Sequence, residues 1–99
     1  MTNITLCIPL NELCLSADIS QELIVEVVEY GIAEPLEGHT LSEWVFDLES
    51  AHWIKKAIKL NRQLQIDWVA TAMVIKLMKT KQQLEKENAQ LKTRLNRLL

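Results

Sequence analysis

No glycine or proline occurs after Gly38. The two Gly and two Pro of the chain all lie within residues 9–38, so the long remainder is free of strong helix breakers. Two aspartates divide that remainder, and each suits an N-cap because its carboxylate can accept the backbone N–H groups left open by the first helical turn. Asp47 predicts a helix reaching about Leu64, with Glu49 in its first turn. Asp67 predicts a last helix from Trp68 to Leu99. At about 1.5 Å per residue that helix exceeds ~40 Å, more than a small domain needs for its own core. Ninety-nine residues, 48% hydrophobic and 24% charged, make one folded domain of modest core with room for an appendage.

The breakers punctuate the N-terminal part. Ile4, Leu6 and Ile8 alternate with Thr5 and Cys7, the period-two pattern of a short half-buried strand. Pro9 ends it and suits the start of a helix that carries Leu10, Leu13 and Cys14 on one face. A polar turn, Ser16-Ala17-Asp18, leads to Ser20 as the N-cap of a second helix, Gln21 to Tyr30, with Gly31 suited to close it. Helix, short turn, helix is the helix-turn-helix outline. Residues Ile32 to Phe46 then read as a wing: extended pieces at Ile32-Ala33 and Trp44-Val45-Phe46 flank a turn-rich tip at Pro35 to Thr40. The third helix takes Trp53, Ile54, Ala57, Ile58 and Leu64 as its apolar side and lines Lys55, Lys59 and Arg62 along another.

Charge is divided as sharply as the breakers are. Ten of the thirteen acids precede the first Lys or Arg, Lys55, and all eleven Lys and Arg lie from there onward. The formal net charge of -2 therefore hides roughly -10 over residues 1–54 and roughly +8 over residues 55–99. A helix-turn-helix that meets nucleic acid draws its non-specific affinity from Lys and Arg neutralising phosphates, and this one has none. The same field attracts a basic protein surface and raises its encounter rate. On the second helix, Leu23, Ile24, Val27 and Val28 form a stripe that must be buried. Opposite it Glu22, Val25, Glu26 and Glu29 fall at i, i+3, i+4 and i+7, an acidic face with a valine in its middle. Those four residues, with Trp44 on the wing as a second anchor, are the candidate partner-binding set.

From Leu77 the last helix carries a heptad. Leu77, Leu84, Leu91 and Leu98 occupy d, while Val74, Lys81, Asn88 and Leu95 occupy a. Leu77, Leu84, Asn88, Leu91, Leu95 and Leu98 are thus the candidate dimerisation set, with Val74 or Met78 extending it. A parallel pair aligns Asn88 with Asn88 but stacks Lys81 on Lys81. An antiparallel pair sets Asn88 beside Leu91 and is favoured, although exposed charge pairs contribute only about 0–1 kcal/mol each. The expected organisation is a winged helix-turn-helix domain over residues 1–72 and a coiled-coil dimerisation helix over 73–99. The fold is mostly α with a small β-wing.

Other chemistry finds no footing. Cys7 and Cys14 lack the further partners that a zinc set needs, since His39 and His52 stand at the wrong spacing; two buried thiols of a cytoplasmic protein are the expectation. There is no Gly-rich phosphate loop, no Ser or Cys with a plausible His base, and no carboxylate pair in an apolar setting. No enzyme activity, cofactor or small-molecule substrate is expected. Pro9, Asn11 and Glu12 interrupt the N-terminal apolar run, which argues against a signal peptide. The uncharged stretch Trp68 to Ile75 is too short to span a bilayer.

Several segments resemble one family in order and spacing. They are Asp18-Ile19-Ser20 through Gly31-Ile32-Ala33-Glu34-Pro35, Glu43-Trp44-Val45-Phe46-Asp47, Ala57-Ile58-Lys59-Leu60, Leu64-Gln65-Ile66-Asp67-Trp68, and Leu84-Glu85-Lys86-Glu87-Asn88 through Leu95. Together they look like the CbpM family of chaperone modulatory proteins, and the match covers essentially the whole chain. More distantly the layout resembles the MerR transcription regulators, with their helix-turn-helix, wing, two further helices and dimerising antiparallel coil. The first resemblance implies an anti-co-chaperone. Such a protein binds the J-domain of the DnaJ-like co-chaperone CbpA and suppresses both its stimulation of the DnaK (Hsp70) ATPase and its DNA binding. The second implies a DNA-binding regulator if Lys55, Lys56, Lys59 and Arg62 face phosphate, and the missing cations of the helix-turn-helix count against it. A dimeric adaptor for another basic protein is the third reading.

Overall fold

Burial of one apolar face on each of four helices builds the domain. The computed structural model describes residues 6–99, so Ile4 of the expected strand lies outside the described residues. The elements run β1 (Cys7–Pro9), α1 (Leu10–Ala17), α2 (Gln21–Glu29), β2 (Val45–Asp47), α3 (Leu48–Leu64) and α4 (Trp68–Leu98). Two short strands pair antiparallel, Ile8 opposite Phe46 and Cys7 opposite Asp47. Alternation turns Ile8 inward and leaves Cys7 and Pro9 on the outer side. The core gathers Leu10 and Leu13 of α1, Ile24 and Val27 of α2, Phe46 of β2, Ile54 and Ile58 of α3, and Ile75 of α4.

Helix ends follow the sequence closely. Asp47 Oδ1 accepts from the Ser50 N–H at 2.7 Å, and Asp67 Oδ1 from that of Ala70 at 2.7 Å. Asp47 therefore serves twice, as the last residue of β2 and as the cap of α3, which welds strand to helix without a linker. Ser20 Oγ accepts more loosely from Leu23 N–H at 3.4 Å. At the far end of α2, Gly31 adopts φ 74°. Its N–H donates to Val28 O and that of Ile32 to Val27 O. This is the Schellman arrangement, which needs a left-handed residue at Gly31.

That closure explains where the wing departs from expectation. Ile32 and Ala33 are not a strand. Ile32 completes the helix terminus, and both residues sink into the core. Wing pairing starts later, where Leu36 N–H donates to Val45 O and Val45 N–H donates to Glu37 O. A single 3-10 turn, Leu41–Glu43, precedes β2. Gly38 lies at φ 119°, where an added Cβ would sit 2.7 Å from the Glu43 carbonyl oxygen, so only glycine lets the two sides of the tip approach.

Other expectations fail for local reasons. Leu6 precedes the paired strand and is exposed. Leu64 ends α3 beyond the domain edge and is exposed, while Leu60 packs against the core in its place. Cys7 is exposed and Cys14 only half-buried, so the thiols are not the buried pair expected.

α4 has two regimes. Trp68, Thr71, Ala72, Ile75 and Met78 face the domain, with Thr71 and Ile75 fully buried. Lys79 then ties the helix down: Nζ donates to Ile32 O at 2.9 Å and stands 5.5 Å from the centre of the Trp53 ring. From Thr80 onward every residue is exposed. No helix among the described residues is long and apolar enough to cross a membrane.

Candidate functional site: an acidic helix face

α2 presents two chemically opposite sides because its sequence repeats apolar residues at helical spacing on one side only. Ile24 and Val27 are fully buried, and Leu23 and Val28 pack against the core beside them. Glu22, Glu26 and Glu29 are exposed on the other side. Val25 between them is half-buried and does not belong to the core cluster. The structure thus brings four of the five candidate partner-binding residues onto one face.

Trp44, the fifth, sits on the wing. Its carbonyl accepts the Leu10 N–H at 3.0 Å, and its ring stands edge-on to Phe46 at 6.1 Å between centroids. It is half-buried, anchored to α1 and the strand, with part of its surface open.

Electrostatically the face is uncompensated. Among the described residues the sole ion pair is Lys81–Glu85 at 3.7 Å, out on α4, so no cation of the described residues pairs with Glu22, Glu26 or Glu29. The acid field extends to a neighbouring thiol. Burial, and after it the Glu22 carboxylate, pushes the Cys14 thiol above its ordinary range. A raised value in the fold keeps the thiol protonated, and the thiolate is the nucleophile. Iodoacetamide at pH 8 should therefore alkylate Cys14 several-fold more slowly in the folded protein than in urea, with the gap closing as pH rises. Equal rates, read by peptide mass spectrometry, would contradict the half-buried placement.

The cations gather elsewhere. Lys55, Lys59 and Arg62 are exposed on α3 and, with Ser16, Ile19 and Ile58, line an open cleft of about 480 Å³ below the α1–α2 turn. They lie on a different element from the acidic face, as the sequence expected.

Along α4, Leu77, Leu84, Leu91, Leu95 and Leu98 are between 56 and 84% exposed, and Asn88 is exposed among them. Met78, considered as an extension of this set, packs on the core instead. Two residues escaped the heptad reading: Val69 and Met73 are 58% and 64% exposed, and each stands four residues before the next member of the stripe. That i, i+4 spacing was the available signal, hidden because a heptad phase set by the leucines leaves both off its seam.

An acidic helix in the position of a recognition helix, a short wing and a long protruding C-terminal helix define a regulator of the helix-turn-helix class. The model of the MerR HTH family regulatory proteins matches residues 8–93. Curated relatives narrow the class. A chaperone modulatory protein CbpM of Pseudomonas entomophila is 44% identical over 86% of this chain and 83% of its own length. That of Pseudomonas putida is 40% identical over 88% and 85%. One from Citrobacter koseri is 35% identical over 100% of this chain and 97% of its own length. The chain belongs to the MerR-type helix-turn-helix family and, within it, to the chaperone modulatory proteins CbpM. The name those relatives carry describes a regulator rather than an enzyme.

Proposed function

We propose that this protein modulates a chaperone system by binding the J-domain of a DnaJ-like co-chaperone of the CbpA type through the acidic face of α2. The observation that carries this reading is the row Glu22, Glu26 and Glu29, exposed and unpaired around Val25. J-domains present a basic helix to Hsp70. Three carboxylates at helical spacing complement such a surface and steer its approach, while Val25 and the open part of Trp44 supply desolvated contact to hold it. Occupying the basic helix blocks its docking on DnaK and its access to DNA. Inhibition is then competition between surfaces and requires no chemistry. The same acidity disfavours direct duplex binding by this chain. The exposed leucines of α4 make it a homodimer through Leu77, Leu84, Asn88, Leu91, Leu95 and Leu98.

The test is a calorimetric titration of the full chain with the cognate J-domain, paired with the J-domain-stimulated ATPase rate of DnaK. Saturable binding that weakens with salt, together with a dose-dependent return of the ATPase to its unstimulated rate, is the expected result. Failure to bind the J-domain at high micromolar concentration would end this reading.

A further inference from the structure

α3 carries every fixed positive charge of the winged domain. Residues 50–66 hold Lys55, Lys56, Lys59 and Arg62 and no acid. Lys55, Lys59 and Arg62 are exposed and fall at i, i+4 and i+7, so they form one row with steps of about 6 Å and then about 4.5 Å along the helix axis. None of them is in an ion pair among the described residues. The row borders the open cleft of about 480 Å³, whose apolar lining is Ala17 and Ile19, on either side of Asp18, together with Ile58. A row of cations alone is a solvated face. A row of cations along an apolar cleft fits a ligand that is anionic and carries an apolar group beside its charges.

We infer that this cleft is a second docking surface, separate from the acidic face of α2, and that its occupant is an acidic amphipathic helix of another protein. Carboxylates at i, i+4 and i+7 of such a helix repeat the steps of the row, so each meets one cation when the two helices lie side by side. An apolar residue at i+3 sits among those carboxylates and reaches the cleft lining. Asp18 sets which side is which. It is exposed between Ala17 and Ile19, so the occupant's carboxylates keep to the α3 side and its apolar residue faces the turn.

Nucleic acid fits the same surface less well. No aromatic side chain lines the cleft for a base to stack on, and a phosphate backbone gains nothing from Ala17, Ile19 or Ile58. The ten acids of residues 1–54 also repel a long polyanion, whose charges extend past the row, more than a short helix that ends with it. The inference does not depend on the J-domain reading, because Glu22, Val25, Glu26, Glu29 and Trp44 line no part of this cleft. With both surfaces in use, one copy holds a basic partner on α2 and an acidic one on α3. It then bridges two proteins instead of capping one.

Fluorescence anisotropy with a model helix tests it. The probe is a fluorescein-labelled, alanine-based peptide of about 18 residues with Glu at i, i+4 and i+7 and Leu at i+3, titrated with the full chain. Exposed ion pairs are weak singly, so the expected Kd is on the order of 10–100 µM at low salt. A peptide of the same composition with its glutamates spread around the helix should bind at least ~5-fold more weakly, and Lys55→Gln, Lys59→Gln, Arg62→Gln protein should lose at least ~10-fold for the first peptide. No saturation by ~1 mM, equal affinity for the two peptides, or undiminished binding by the triple variant would each overturn the inference. The two-peptide comparison uses unmodified protein and does not depend on how the variant folds. A DNA duplex that binds more tightly than the peptide at ~0.15 M salt would assign the row to nucleic acid and overturn it as well.

Discussion

Changing Glu22, Glu26 and Glu29 together to Lys should weaken J-domain binding at least ~100-fold, equivalent to about 2.7 kcal/mol, and abolish suppression of the DnaK ATPase. Three contacts proposed as attractive would become repulsive on a face that no cation of the described residues neutralises. Most of the loss should fall on the association rate, with the salt dependence inverted. The fold should survive, because all three side chains are exposed. Glu22 in the first turn of α2 gives up a favourable helix-dipole term of about 0.3–1 kcal/mol, and Lys at position 29 in the last turn regains a similar amount. An unchanged circular dichroism spectrum is the control. Suppression as complete as that of the wild type would place the interface off this face.

Phe46→Ala should cost about 3–5 kcal/mol of stability. Phe46 is fully buried, paired opposite Ile8 and edge-on to Trp44, so its removal opens a cavity where sheet and helices meet. A domain of this size holds only about 5–15 kcal/mol in all, and each kcal/mol moves the midpoint by about 4–8 °C. The melting temperature should fall by ~15 °C or more. Leu64→Ala, on a side chain 56% exposed, should leave it within a few degrees. A Phe46→Ala melt close to wild type would mean that the strand pair is not part of the cooperative core.

Legibility in the sequence followed the range of the physics. Asp47, Ser20, Gly31 and Asp67 act on backbone groups within a few residues of themselves, so helix limits could be read from them. The acidic face of α2 was legible for the same reason, since helical spacing alone separates Glu22 and Glu26 from Ile24 and Val27. Ile32 and Ala33 misled because two apolar residues after a glycine suit a strand as well as a helix terminus. Only the distance from Ile32 N–H to Val27 O, 3.1 Å, distinguishes the two. Met78 misled because period alone does not say which side of a long helix its own domain occupies. Lys79 gave no signal at all: its acceptor, the Ile32 carbonyl, lies 47 residues away.

Beyond Lys79, α4 is exposed throughout and packs on no other element among the described residues. Its local support is a Lys81–Glu85 pair and a Gln83–Glu87 hydrogen bond, each good for a few tenths of a kcal/mol, and a lone helix of this length is marginal in water. Under the dimer reading proposed above, order in the tail would come from the second copy and vary with how much protein is present. A scarce copy would then offer proteases a loosened segment holding Lys81, Lys86, Lys92, Arg94 and Arg97, while an abundant one would hide its backbone in the proposed coil. On that proposal the protruding helix would make lifetime depend on abundance, a census that each molecule takes by finding, or failing to find, its twin.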